Sequence, residues 1–208
     1  MSVIMMTGLT TVYCMGIEMN FEENINKLII LGADDFKHIN GSLITHLKGT
    51  YQLLKSWQAE VALCTAGLYH AIYGTSGLNN ILIDIKFREK IKALIGEQAE
   101  QIVYTYCACN RDFFWPQIGI KNNPMFEDRF TGNKYYLSLN ELKLFCELTV
   151  ANELEIAHDN LEFITKYQQS LGDLFYRMRP YISTSATNFS KKIFGEKKCV
   201  IVQTPTPF

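Results

Sequence analysis

The four histidines of this chain are the side chains best suited to chemistry, and three of them fall within its first 70 residues. His38 and His46 are eight residues apart, so they share one face if a single helix spans both. His70 lies in the apolar run VALCTAGLYHAIY, where an imidazole is costly to bury unless both ring nitrogens have partners. His70 is therefore either a hydrogen-bonded core residue or part of a functional site.

Three other polar side chains accompany these histidines. Arg111 follows a predicted helix, where it either neutralises the helix carboxyl end or binds a carboxylate or phosphate through its planar fork. Tyr73 and Thr75 come directly after His70 and either supply hydroxyl donors to a pocket or cap the end of the helix. If Arg111 faces the histidines, the site is electropositive and favours an anionic or polar small molecule.

The elements that must position these residues are helical. Apolar residues recur at helical spacing, and Ser138 with Glu141 forms a capping-box pattern that begins one of the helices. The run from Val61 to Tyr73 is apolar on nearly every side, which indicates a central buried helix. We predict an all-α, single-domain bundle of about six or seven helices, over Phe21–Ala33, around Ile44–Trp57, and over Val61–Tyr73, Lys86–Ile95, Glu97–Cys109, Ser138–Asn152 and Leu161–Arg179.

The ends of the chain differ from this helical region. Residues 1–18 contain repeated methionines without a clear period, and we expect a poorly ordered or irregular segment there. Residues 19–182 form the predicted helical domain. Residues 183–208 contain KKIFGEKK and PTPF, and we expect a loosely held C-terminal tail.

Composition limits the class of protein. The 208 residues carry a net charge of −1, which does not favour binding to nucleic acid or to an anionic membrane, and no apolar run is long enough to span a bilayer. The six cysteines are scattered through helix-like segments, which indicates reduced, buried thiols and a cytoplasmic protein. The oligomeric state stays open, with a homodimer among the alternatives.

The segment from Phe36 to Glu155 resembles the HD superfamily, whose helical core carries an early His, a His-Asp pair and a late Asp. His46 matches the first position, His70 the second, and Ala151-Asn152 the late Ala-Asp. The run from Ala66 to Arg111 is also similar to the hydrolase half of the stringent-response alarmone enzymes, and to a single-domain family of unassigned activity that shares the motifs AGLYHAIYGT and CNR. The resemblance implies an HD-like bundle with a site at these positions.

Two departures from the HD pattern change the chemistry that the resemblance implies. Ala71 stands where the paired Asp should be, and Asn152 replaces the late Asp. A pair of hard divalent ions needs carboxylate charge, so these changes argue against a dinuclear Mn²⁺ or Mg²⁺ site. Gly74-Thr75 also stands where the alarmone hydrolases place acidic catalytic residues.

A neutral three-histidine set of His38, His46 and His70 would instead suit one divalent transition metal, Fe²⁺ among them. An iron site would make the chain similar to HD-fold oxygenases such as myo-inositol oxygenase, although those enzymes keep the carboxylate ligands. Without a cofactor, the same imidazoles could act as general acid and base, because their pKa values lie nearest neutrality.

We therefore expect a small-molecule enzyme, a metal-dependent hydrolase or an iron-dependent oxidoreductase. Its metal ligands are His46, His70 and His38, and its substrate-orienting residues are His38, Tyr73, Arg111 and Asn152. The competing hypothesis is a non-catalytic ligand-binding or regulatory module that keeps the fold without metal.

Overall fold

Nine α-helices and two small antiparallel strand pairs form the part of the chain that a computed structural model describes, namely residues 21–38, 41–77 and 81–195. The fold is all-α, as predicted. The helices are α1 (Phe21–Ile30), α2 (Leu43–Ser56), α3 (Val61–Tyr69), α4 (Arg88–Ile95), α5 (Glu97–Ala108), α6 (Arg111–Phe114), α7 (Leu139–Ala157), α8 (Leu161–Met178) and α9 (Thr184–Phe194). The strands are β1 (Lys37–His38) paired with β2 (Gly41–Ser42), and β3 (Met125–Glu127) paired with β4 (Lys134–Tyr136).

The seven predicted helices are all present, and α6 and α9 are additional. Helix α9 occupies the start of the segment that we expected to be a tail. Its N-cap residue Ser183 donates hydrogen bonds from its backbone N–H and its hydroxyl to the Glu147 carboxylate of α7, at 2.7 and 2.6 Å. Ala186 and Phe194 are buried against the bundle. A helix that packs on the bundle therefore follows residue 182, while segments 1–18 and 196–208 lie outside the described residues.

Helix α3 packs against α2, α5 and α7, and its residues from Leu63 to Tyr69 are buried, as the apolar run predicts. It ends at Tyr69, four residues earlier than the apolar pattern predicts, and residues 70–73 form turns closed by hydrogen bonds from Ile72 N–H to Tyr69 O and from Gly74 N–H to Ala71 O. Gly74 has a φ of +72°, a left-handed conformation that favours glycine. This early end decides which way the side chains after His70 point.

Helix α7 is the longest helix of the described part, with 19 residues. The predicted capping box is confirmed: Glu141 N–H donates to Ser138 Oγ at 3.2 Å, and Ser138 N–H donates to Glu141 Oε2 at 2.8 Å. Thirteen of its residues are buried, so α7 carries polar side chains into the interior between α2, α3 and α8.

The four cysteines of the described residues are all buried and free, as predicted for reduced thiols: Cys64, Cys107, Cys109 and Cys146. None of the helices in the described ranges has the length and apolar character needed to cross a membrane.

Candidate functional site

Three side chains from three helices meet in the interior: His46 of α2, His70 at the end of α3, and Asn152 of α7. His46 Nε2 lies 3.2 Å from His70 Nε2 and 3.0 Å from Asn152 Oδ1. All three residues are at most 5% exposed. Two chain positions that are far from His46 in sequence therefore place a nitrogen and an oxygen atom next to His46 Nε2.

The outer edges of both imidazoles are held by hydrogen-bond acceptors. His46 Nδ1 contacts the Glu155 carboxylate, and His70 Nδ1 contacts the Gly67 carbonyl oxygen at 2.8 Å. A carbonyl or carboxylate oxygen accepts the bond, so Nδ1 carries the proton on each ring. In the neutral imidazole, Nε2 then presents a lone pair toward the other members of the site.

The orientation of the Asn152 amide is fixed in the same manner. Its Nδ2 donates to Glu153 Oε1 at 3.0 Å, which turns Oδ1 toward His46. Glu153 Oε1 also accepts from Arg111 Nη1 at 3.2 Å. If each ring is neutral with its proton on Nδ1, the three atoms that face one another, two imidazole nitrogens and one amide oxygen, all present lone pairs.

Arg111 lies at the site but is held by protein groups. Besides its ion pair with Glu153, its Nη2 donates to the Tyr106 hydroxyl at 2.9 Å, and its guanidinium lies 4.9 Å from the Trp115 ring centroid. Burial alone would lower the pKa of Arg111, but the interactions with Tyr106 and Glu153 outweigh it and raise the pKa. Arg111 is thus a permanent cation whose charge is balanced within the protein.

These residues line a cavity of about 790 Å³. Its polar lining includes His46, His70, Thr75, Arg111, Asn152 and Glu153. Its larger apolar residues are Leu43, Trp115, Pro116, Ile156, Phe163, Tyr167, Leu171 and Leu174. A concave site of this size with a few convergent polar groups has the character of a small-molecule site.

One sequence-predicted site residue, Tyr73, is not among those brought together here. Tyr73 is buried elsewhere: its hydroxyl donates to Glu100 Oε1 at 3.0 Å, and the pKa of Tyr73 is raised by burial and by the Glu100 carboxylate. His38 belongs to β1, and its side chain lies outside the described part of the structure. In the described residues, no group of three His, Cys, Asp or Glu side chains could hold a metal ion.

Sequence reasoning missed Glu155 and the apolar wall of α8. Glu155 lies one helical turn after Asn152, so the spacing alone places both side chains on one face of α7. Gly49 gave a second signal, since a glycine inside helix α2 costs helix propensity. A Cβ atom at Gly49 would lie 2.6 Å from Glu155 Oε1, so the glycine leaves space for the carboxylate that contacts His46.

Comparison with known proteins adds a family model but no activity. Residues 27–111 match the model of a domain of unknown function, DUF6817. The matched stretch contains His46, His70 and Arg111, whereas Asn152 and Glu155 lie beyond it. No curated protein and no solved structure matches the chain.

Proposed function

We propose that this chain is a small-molecule enzyme that binds one divalent transition metal through His46 Nε2, His70 Nε2 and Asn152 Oδ1. The observation that carries the proposal is the approach of two imidazole nitrogens and one amide oxygen from three helices, each group oriented by a hydrogen bond on its outer side. A cation among these atoms would be bound by all three. Metal-bound histidines commonly use the other ring nitrogen to contact a carboxylate or a backbone carbonyl.

The donor spacing is compatible with such an ion. Ligand atoms about 2.1 Å from a metal are about 3.0 Å apart at right angles and about 3.4 Å apart in a tetrahedron. The two measured separations, 3.2 Å between the imidazole nitrogens and 3.0 Å from His46 Nε2 to Asn152 Oδ1, fall in this range. Imidazole nitrogen with one amide oxygen suits Zn²⁺ or Fe²⁺ better than Mg²⁺ or Ca²⁺.

The roles of the chain's own residues follow from their contacts. Glu155 and the Gly67 carbonyl hold the two rings in orientation, while Arg111 and Glu153 hold the Asn152 amide. A bound metal would supply Lewis acidity toward a polar oxygen of the substrate, and hydrolysis or iron-dependent oxidation are the reaction classes that fit. The attraction for an anionic head would come from the metal, because the charge of Arg111 is already balanced by Glu153.

A metal-free binding module is the second candidate function. It is favoured by the absence, from the described residues, of a third His, Cys, Asp or Glu side chain that could complete a metal site. In that case a proton would lie between His46 and His70, and the cavity would bind its ligand without catalysis.

We also infer a reducing compartment, namely the cytoplasm. The support is chemical: the four described cysteines are buried and free, and none is paired in a disulfide. A secreted protein of this size with several cysteines would ordinarily oxidise them.

Metal analysis separates the two candidates. The full chain is purified anaerobically, loaded with Fe²⁺, Zn²⁺ or Co²⁺, and analysed for bound metal beside His46→Ala and His70→Ala. His158→Ala is the matched control, since the side chain of His158 is 61% exposed and pairs with Asp159 away from the cavity. Circular dichroism and thermal unfolding verify that each variant is folded.

We expect one equivalent of metal per chain in the wild type and in His158→Ala, and loss of the metal in both site variants. Wild-type protein that binds none of the three metals would overturn the metalloenzyme and leave the binding module.

A further inference from the structure

We infer that the ligand of this cavity is an amphipathic molecule with one oxygen-bearing polar head and a neutral apolar tail or ring. The head would lie at the histidine end, and the tail would lie along helix α8. The inference rests on the proposed function for the head, because the metal is what the head would bind. The tail is argued separately from the cavity wall.

One face of α8 forms part of the cavity wall. Phe163, Tyr167, Leu171 and Leu174 recur at helical spacing and all line the cavity. Phe163 and Tyr167 are themselves in contact, with ring centroids 4.7 Å apart. This face therefore offers a continuous apolar surface about three helical turns long.

The apolar surface is continued by residues of other elements. Leu43 of α2 and Ile156 of α7 are buried residues that also line the cavity. Trp115 and Pro116 form the wall after α6. The volume of about 790 Å³ is within the range of about 300–1,000 Å³ that accommodates drug-sized ligands, which is more than a small polar head requires.

The charged residues of the lining indicate that the tail is neutral. Arg111 is paired with Glu153, and the Arg177 guanidinium donates from Nη1 to the carbonyl oxygens of Trp115 and Ile118, at 3.0 and 2.6 Å. The remaining charged residues in the described lining are acidic and exposed, Asp112 and Asp173. With Arg111 and Arg177 set against Glu153, Asp112 and Asp173, the described lining carries no surplus positive charge that would attract a second anionic group of the ligand.

A hydroxamate series tests the inference, because hydroxamates chelate transition metals through two oxygens. The full chain is loaded with Zn²⁺ and titrated calorimetrically with acetohydroxamate, hexanohydroxamate and octanohydroxamate. An analogue of octanohydroxamate whose tail ends in a carboxylate is titrated beside them. We expect affinity to rise up to about fourfold for each methylene group that is buried, and to fall when the terminal carboxylate is added.

A substitution in the apolar wall, with a control on the same helix, tests where the tail of the ligand lies. Tyr167→Ser should weaken octanohydroxamate about tenfold, while acetohydroxamate affinity and metal content stay unchanged. Gln169→Ser, an exposed position on the same helix that does not line the cavity, should change neither. An affinity that does not vary with chain length in the metal-loaded protein would overturn the inference while leaving the metal site intact.

If the wild type binds no metal, the proposed function fails, and the tail is tested on the metal-free chain with hexanoate and octanoate. Octanoate binding that exceeds hexanoate binding and is weakened by Tyr167→Ser would uphold the apolar subsite. Equal binding of both acids, or no binding, would overturn it.

Discussion

Asn152 is the residue at which this site differs most from a carboxylate-bearing metal centre. Its amide connects two parts of the site, because Nδ2 donates to Glu153 while Oδ1 faces His46. A carboxylate at this position could accept in both directions but could not donate to Glu153. The carboxylates of the site, on Glu153 and Glu155, therefore contact the outer sides of the Asn152 amide and the His46 ring. They do not belong to the three atoms that face one another.

Replacement of Asn152 by Asp tests this arrangement. Asn152→Asp would place a carboxylate oxygen about 3.0 Å from Glu153 Oε1, so the metal-free protein should lose about 1–3 kcal/mol of unfolding free energy at pH 7. The loss should shrink at pH 5, where two adjacent carboxyl groups can share a proton. Urea denaturation in EDTA measures both values.

Asn160→Asp is the matched control, because Asn160 caps α8 by accepting from Phe163 N–H at 2.9 Å, and Asp caps equally well. Equal stability of Asn152→Asp and wild type at pH 7 would contradict the role assigned to Glu153.

At the scale of elements, the close packing of α2 and α3 brings the two histidines together. A Cβ atom at Gly67 would lie 2.6 Å from Leu54 Cδ1 and 3.6 Å from Tyr51 Cα, so the glycine allows the two helices to approach. The same residue supplies the carbonyl oxygen that orients His70. The α2–α3 contact is therefore both a packing feature and the support of the site.

Gly67→Ala should destabilise the protein by about 1–3 kcal/mol, because the added methyl group overpacks the α2–α3 contact. Helix propensity alone predicts the opposite sign, a gain of about 0.5–1 kcal/mol. Urea denaturation decides between the two.

The Gly67→Ala/Leu54→Val double variant gives the control, since shortening Leu54 removes the atom that the new methyl group would meet. The loss of unfolding free energy in the double variant should be smaller than the sum of the losses in the two single variants by at least about 0.5 kcal/mol. A stabilised Gly67→Ala variant would show that the helices do not constrain this position.

At the scale of the whole molecule, thiols are part of the core. Cys107 lies in the last turn of α5, Cys109 directly follows that helix, and Cys146 belongs to α7. None of the three has exposed surface. Burial raises the pKa of Cys107 from the ordinary 9.0 of a thiol to about 12, and burial also raises the pKa of Cys109 and Cys146. These thiols remain protonated in the folded protein at a pH where the unfolded chain ionises them.

Folding stability should therefore fall as pH rises above about 9. Below that pH the folded and unfolded states bind the same thiol protons. Above it, unfolding allows the thiols to release their protons. Each buried thiol therefore lowers the free energy of unfolding by about 1 kcal/mol between pH 8 and pH 10. Urea denaturation at pH 8, 9 and 10 under reducing conditions measures the slope. Cys146→Ala should have a shallower slope, and a wild-type stability that stays constant to pH 10 would contradict the prediction.

The sequence predicted most of the helices because helical periodicity and capping are local properties. The apolar stripes identified seven helices, and Ser138 with Glu141 marked the start of α7. Helix α9 was not predicted, because it begins with polar residues. It is held on the bundle by the contact of Ser183 with Glu147, two residues 36 positions apart. The early end of α3 was equally hidden, since the apolar run continues to Tyr73 after the helix has stopped.

For the site itself, the sequence by itself determined which residue types were available: a histidine in the most apolar run, an alanine at position 71, and an amide at position 152. Only the tertiary structure decided how they are used. It turned Tyr73 to Glu100, paired Arg111 with Glu153, and placed Glu155 against His46. The physical reason is that spacing along a chain fixes the face on which a side chain lies, whereas its hydrogen-bond partner depends on which other helix packs against that face.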